Sequence, residues 1–460
     1  MVGLLKDSTE AEGGSLMGDC ATQPMRFGTE AALTLEAAFD GGRVTSDGGL
    51  LWLQKMDSEM GLCQAISECV PEWRTRKGHH SLASLVKQRV FQIACGYEDQ
   101  NDSDALREDP LFKFSCGEAP ESGEHLASQP TICRLENAAT RSSCHRIAQM
   151  LFEHYLTQRE EGGAPDKVLL DFDATDDPTH GEQEGSYYHG YYKQHIYHPL
   201  LVFDGESGHL ITALLRSGNT HASNSSVALL KRLVSGLRRR WPEVGIELRA
   251  DAGFAVPAVY DYCEEQGITY TIALVTNERL KGMACDLLEE AKVSHEKTSC
   301  KARLFGEDVY RAGSWVKKRR VIYKAEAMER GTNRRFLLTT RNDEPKALYE
   351  FYARRGESEN WIKDLKVHMK ADRLSCHRFI SNQFRLLLHA AAYWLMDALR
   401  RKLIASGSRR MQLDTLRLRL LKIGGRVREL MRKVRLHLAS GHPGEGLWHV
   451  LSEAFVGVHE

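Results

Sequence analysis

The hydrophobic period of this chain changes near Pro165, and that change limits the possible folds more than any other feature. From about Ala31 to Tyr155 the spacing is mostly helical; in Ser81–Ala94, Leu82, Leu85, Val86, Val90, Phe91 and Ile93 fall largely on one face. Beyond Pro165 the apolar segments shorten. Lys167–Asp173 reads as a strand apolar on both faces, hence buried on both. His195–Asp204 and Leu210–Leu215 read as two more strands, joined by the turn Gly205-Glu206-Ser207-Gly208. Asn224–Arg240 is expected as a helix, Gly245–Asp251 as a fourth strand, Val256–Gln266 as a helix and Ile268–Val275 as a fifth strand.

Three strands, helix, strand, helix, strand is the chain order of an RNase H-like core. A helix bringing one more acid should follow, but residues 277–341 intervene. They carry β-type patches at Asp308–Ala312, Arg320–Lys324 and Arg335–Thr340. The awaited helix starts near Leu348 and runs past His368, and two long amphipathic helices, Phe379–Ile404 and Leu413–Leu436, are expected after it. The expected fold is therefore an α/β RNase H-like catalytic core with a mixed five-stranded sheet. Its boundaries are a flexible leader (1–25), a helical N-terminal domain (26–160) and the first part of the core (165–276). A mainly β insertion (277–341), the rest of the core with the third acid (342–375) and a helical basic C-terminal region (376–460) follow.

Composition agrees with several domains: 460 residues exceed one ordinary domain, and 42% apolar content can fill sizeable cores. The formal net charge is zero, but Asp397–Leu436 holds 13 Lys/Arg against 3 Asp/Glu, which suits a polyanionic partner. The 11 cysteines form no CxxC pair and read as free thiols of a reducing cytoplasm. No apolar run approaches the roughly 18–20 residues of a membrane span, and the first residues do not read as a secretory h-region. The expectation is a cytoplasmic protein.

Phosphodiester chemistry at neutral pH is served by two divalent cations held by a few carboxylates from different elements. Asp173 ends the first strand and Asp251 the fourth, which are neighbours in the assumed topology; Glu359 would come from the late helix. Along that helix Tyr352, Arg355, Glu359 and Lys366 share a stripe about 60° wide at 100° per residue. An acid flanked by a phenol, a guanidinium and an ammonium suits a metal ligand among groups that grip phosphates; a solvated charged face has the same look.

The spacing Tyr352-x2-Arg355-x3-Glu359-x6-Lys366 is similar to the signature of the insertion-sequence DDE transposases. Asp171-Phe-Asp-Ala-Thr175 resembles their Asp-x-Thr block, and Arg249-Ala-Asp-Ala-Gly-Phe254 their Arg-x-Asp-x-Gly-Phe block. Gly96–Asp102, Leu126–Thr131 with Arg134–Asn137, and His180-Gly181 through His189–Tyr192 look like the thirteen-eighty group of the insertion-sequence-four-like superfamily. The resemblance covers roughly residues 25 to 440. It implies a transposase that cuts and joins DNA, with Asp173, Asp251 and Glu359 as catalytic ligands of two Mg²⁺ or Mn²⁺ ions. It further implies Tyr352, Arg355 and Lys366 as DNA contacts, terminal inverted repeats and target DNA as partners, and a homodimer in the synaptic complex. Members of this architecture hold a flipped base with an aromatic of the insertion, for which Trp315 is a conceivable counterpart.

Other readings compete. Asp171 shares strand parity with Asp173, and only the Asp-x-Thr pattern favours Asp173. Asp176 and Asp177 read as turn or solvent residues. His180, His189, His195 and His198 fit no closed zinc pattern, and Cys263 reads as a buried thiol. Ser128–Asn137 resembles a recognition helix, with Thr131 and Arg134 near its start; a helix packed inside the N-terminal domain would look the same. A nuclease of the same fold without joining activity, or a non-catalytic DNA-binding derivative, remain alternatives to an active transposase.

Overall fold

The computed structural model describes residues 24–27, 35–76 and 78–456, so most of the expected leader lies outside the described residues. Among the described residues, seven helices occupy the first third, from Leu50–Met60 to Arg141–Glu160. The helix expected over Ser81–Ala94 runs Leu82–Cys95, with the Ser81 side chain accepting from Ser84 N–H. Ser128 is the N-cap residue of Gln129–Asn137 with Pro130 in its first turn, but its side chain makes no capping hydrogen bond.

The sheet at the centre has eight strands: β1 (Lys167–Ala174), β2 (Leu200–Asp204), β3 (Leu210–Leu214), β4 (Gly245–Ala250), β5 (Thr269–Leu274), β6 (Ala302–Tyr310), β7 (Arg319–Met328) and β8 (Gly331–Thr339). Their spatial order is β6-β7-β8-β5-β4-β1-β2-β3. β4 pairs in parallel with both β1 and β5, and every other pairing is antiparallel. The expected neighbourhood of first and fourth strands is thus present. The expected five strands gain three more, because the hairpins of the insertion extend the sheet through the β5–β8 pairing. The insertion is also less β-rich than expected: it opens with the helices Glu278–Met283 and Cys285–Thr298.

The strand expected over His195–Asp204 is broken. Pro199 has no N–H to give a ladder, so Gln194–Tyr197 joins a small sheet with Asp177–Pro178 and Tyr187–His189, and β2 starts at Leu200.

Helix Phe379–Ala405 is buried along nearly its whole length and packs on β3, on Leu82–Cys95 and on Arg141–Glu160, so one continuous core links the first third, the sheet and this helix. The helix expected over Leu413–Leu436 does not form. Leu413–Leu421 is helical, ending in a π turn, but Gly424-Gly425 stops it, and Gly425–Leu430 and Lys433–Leu438 form an antiparallel hairpin. The Arg–Val–Arg and Val–Arg–Leu–His–Leu runs have period 2, which belongs to a strand with one buried face. The basic C-terminal region is therefore mixed, not helical.

Candidate active site

Parallel pairing places Ala250 opposite Phe172, so Asp251, just past the end of β4, stands beside Asp173, which is still paired with Leu201 of β2. Asp171, two residues earlier on the same face, is already committed. Arg249 donates from Nε to its Oδ1 at 2.6 Å and from Nη2 to its Oδ2 at 2.6 Å, with both side chains 1% exposed. A third nitrogen, Nη1, donates to the Phe351 carbonyl at 2.8 Å, so this one guanidinium ties β1 and β4 to the helix Pro345–Ala353.

Asp251 caps the short turn Ala252–Phe254, its Oδ1 accepting the Gly253 N–H at 2.8 Å. A Cβ on Gly253 would stand 2.7 Å from Ala222 Cβ, so only glycine fits. Phe254 is buried edge-on against Phe172 at 5.9 Å. Each residue of the Arg-x-Asp-x-Gly-Phe block thus has a local structural reason: tie, acid, tight turn and anchor.

The late helix comes in pieces: Pro345–Ala353, then Gly356–Lys363, then a π turn over Asp364–His368. The straight stripe expected for Tyr352, Arg355, Glu359 and Lys366 therefore does not exist as one helical face, because the break at Arg354-Arg355 and the π turn both shift the phase. Arg355 still points into the site. Its Nη2 bonds Asp173 Oδ2 and lies 3.9 Å from Asp251 Oδ2, while its buried Nε has no hydrogen-bond partner among the described residues. Lys366 is turned to Asp176, donating to Oδ1 at 2.7 Å. Asp176 also accepts from Gln194 at 3.2 Å, so it is held rather than free in solvent. Asp177 is 2% exposed, which corrects its reading as a surface residue; burial pushes its carboxyl well above the usual range. Tyr352 is half-buried against the Ile322, Leu337 and Leu348 cluster, and burial pushes its hydroxyl up to about 12.

Glu359 is exposed on the first turn of Gly356–Lys363. Burial, opposed by Arg355 and reinforced by Asp251, Asp171 and Glu359, pushes the Asp173 carboxyl up to about 7. Among the described residues no three His, Cys, Asp or Glu side chains are close enough together to hold one metal ion. The structure brings Asp173 and Asp251 together around Arg355, and Glu359 stands exposed on the helix that follows Arg355.

A second group of side chains stands at this site that spacing alone did not single out. His189, Tyr192 and His198 pack with ring centroids 5.1 to 6.1 Å apart. Burial, helped by the charges of Asp176 and Asp173, pushes the Tyr192 hydroxyl up to about 12. His198 bonds the Thr220 carbonyl through Nδ1 at 2.8 Å. Tyr188 and Tyr191 are 59% and 83% exposed on the same segment. The density of Tyr and His over 187–198 was the available signal.

Trp315 is 5% exposed and lies edge-on to Tyr260 and Tyr310 at 5.4 Å, with Arg319 over its ring. It is packed into the core in this structure. Cys263 is fully buried, its thiol pushed up to about 12 by burial. Arg134 is exposed on Gln129–Asn137, whose Ile132, Leu135 and Glu136 are buried.

Residues 27–455 match a family model described as transposase DDE domain group 1. A cryo-EM structure of the piggyBac transposase synaptic complex with hairpin DNA is similar at 12% identity and a TM-score of 0.41, over 82% of this chain and 80% of that one. No curated protein matches. Among the described residues no helix is long and apolar enough to cross a membrane.

Proposed function

Because the chain belongs to the family of transposase DDE domains, group 1, we propose that it cleaves transposon ends and joins them to target DNA with Asp173, Asp251 and Glu359 as its catalytic acids. The observation that carries this reading is the in-register pair Asp173 and Asp251 converging on Arg355. Two carboxylates held side by side, one of them pushed up to about 7, make a negative field that a cation would relieve. Their donor atoms are all oxygen, which suits Mg²⁺ or Mn²⁺, and Glu359 would complete the set. When bound, a pair of such ions would activate a water or a 3′-hydroxyl and neutralise charge on the scissile phosphate.

The protein's own groups hold and orient. Asp173 and Asp251 are fixed by the sheet, with Asp251 further held by the Gly253 N–H. Asp171 and Arg249 brace the helix that leads to Arg355. Arg355 neutralises the acid pair in this structure and, with Lys366 and Tyr352, is the group assigned to DNA phosphates at the cut; Arg134 is assigned to DNA on the N-terminal helices. The strand order β3-β2-β1-β4-β5 supports an RNase H-like core, and the motif blocks support the thirteen-eighty group. The proposed partners are terminal inverted repeats and target DNA, with two copies of the chain in the synaptic complex.

The test is strand nicking and joining on oligonucleotides that carry the inverted repeats flanking the coding region, with Mg²⁺ or Mn²⁺. Glu359→Gln is expected to lower the rate about a thousandfold or more, because several kcal/mol of transition-state stabilisation are removed. Full strand transfer by that variant would refute the assignment. Robust cleavage with no joined product from pre-cut ends would instead make the chain a nuclease.

A further inference from the structure

The hairpin Gly425–Leu438 contains five Lys/Arg and one acid, and its two faces differ sharply. Val427, Val434, Leu436 and Leu438 turn towards the protein, and Gly425 pairs with Thr45, which is itself buried. The opposite face carries the directly paired residues Arg426 with His437, Arg428 with Arg435, and Leu430 with Lys433, all exposed. Arg432 and Met431, the latter 99% exposed, form the tip.

Glu429, the sole acid, is removed from this face. Its carboxylate accepts the backbone N–H groups of Glu121 and Ser122 at 3.0 Å and the Ser122 hydroxyl at 2.7 Å, which also anchors the hairpin to that loop. Among the described residues no acid is ion-paired with Arg426, Arg428, Arg432, Lys433 or Arg435. The remaining cations of this basic stretch are largely used internally. Arg401 bonds Asp397 at 2.6 Å, Lys402 reaches Glu59 at 3.3 Å and Lys422 reaches Asp47 at 2.7 Å. Arg417 donates to the carbonyls of Ala94 and His368.

Like charges placed directly opposite each other cost stability, so Arg428 against Arg435 needs a compensating anion. Lysines and arginines on an edge strand can also serve to block unwanted pairing. Arg426, however, is paired on both sides, with His437 in one neighbour and Val44 in the other, so no open edge is blocked there.

We propose that this hairpin is a β-ribbon arm that binds duplex DNA through its basic outer face. A two-stranded ribbon fits the major groove, and arginines two residues apart stand about 6–7 Å from each other along a strand, all on one side. The proposal takes its partner class from the transposase reading but makes no use of the acids. It predicts phosphate contacts, hence affinity that falls with salt and is indifferent to sequence.

The experiment measures anisotropy of a labelled duplex of arbitrary sequence with the full-length protein in EDTA over a range of salt. Arg428→Glu with Arg435→Glu is expected to weaken binding about tenfold or more and to reduce the slope of log K against log salt by about 2. Arg428→Lys with Arg435→Lys should stay within about threefold of the wild type, since charge is kept. Unchanged affinity and slope in the glutamate variant would overturn the proposal, as would an equal loss in the lysine variant. EDTA suppresses metal-dependent chemistry, so a failure of the ribbon appears as unaltered binding, whereas a failure of the acid triad appears as wild-type protein that binds but does not cut in Mg²⁺.

Discussion

Asp171 and Asp173 sit two residues apart on one face of the same strand, yet their surroundings give them opposite duties. Asp171 is sealed against Arg249, a buried carboxylate met by a forked partner. Asp173 faces Arg355 and two further acids, with 15% of its side chain exposed. Removing Asp171 would leave the Arg249 guanidinium buried without a counter-charge, so Asp171→Ala is expected to cost about 3–5 kcal/mol, read as a lower urea midpoint. Asp173→Ala should change stability by about 1 kcal/mol or less, because its ionised form is already disfavoured where it sits, while abolishing strand transfer. Equal stability losses for the two variants would contradict this division.

Among the elements, helix Phe379–Ala405 binds the molecule together through polar groups as well as apolar ones. Arg385 lies 3.6 Å from Glu136, which also accepts from Arg89 at 2.8 Å, and all three side chains are at most 2% exposed. Further along, Arg400 bonds Asp364 at the start of the π turn and Asp397 one turn back. The same helix therefore clamps the N-terminal helices at one end and the Glu359-bearing segment at the other. Glu136→Ala strands two buried arginines, and a loss of about 3–5 kcal/mol in unfolding free energy is expected. An unchanged denaturation midpoint would show that these arginines find other partners.

For the whole molecule, acid sensitivity follows from buried imidazoles. His209 is stacked on Trp394 at 5.1 Å, His154 lies edge-on to the same ring at 4.8 Å, and His389 is fully buried. Burial lowers His154 and His209 to about 4 and His389 to about 3. Each folded value lies below the ordinary one near 6.5, so the unfolded chain takes up protons first. The stability these groups contribute is intact above about pH 6.5 and is lost as pH falls towards 4, by roughly 3 kcal/mol each. His209→Gln should flatten its share of that loss in urea titrations between pH 6.5 and 4.5; an identical pH slope would remove His209 from the account.

The strand expected from His195 begins only at Leu200, but local chemistry was enough to locate β1, β3, β4 and β5, the helices between them, and the acids near the ends of β1 and β4. Each rests on apolar periodicity or on a turn residue that no distant contact overrides. Four features depended on contacts far apart in the chain. Asp171 and Asp173 have the same parity, and only Arg249, seventy-eight residues away, tells them apart. Trp315 could have been surface or core until Tyr260 and Tyr310 closed around it. Lys366 left its helical stripe because a π turn and Asp176 claimed it. The alternating Arg and Leu of 425–438 satisfied a half-buried helix as loosely as a strand, and it took Thr45 and the Glu121–Ser122 loop to provide the surface on which a hairpin could lie. Sequence periodicity records which residues must be hidden; what hides them is supplied by the rest of the fold.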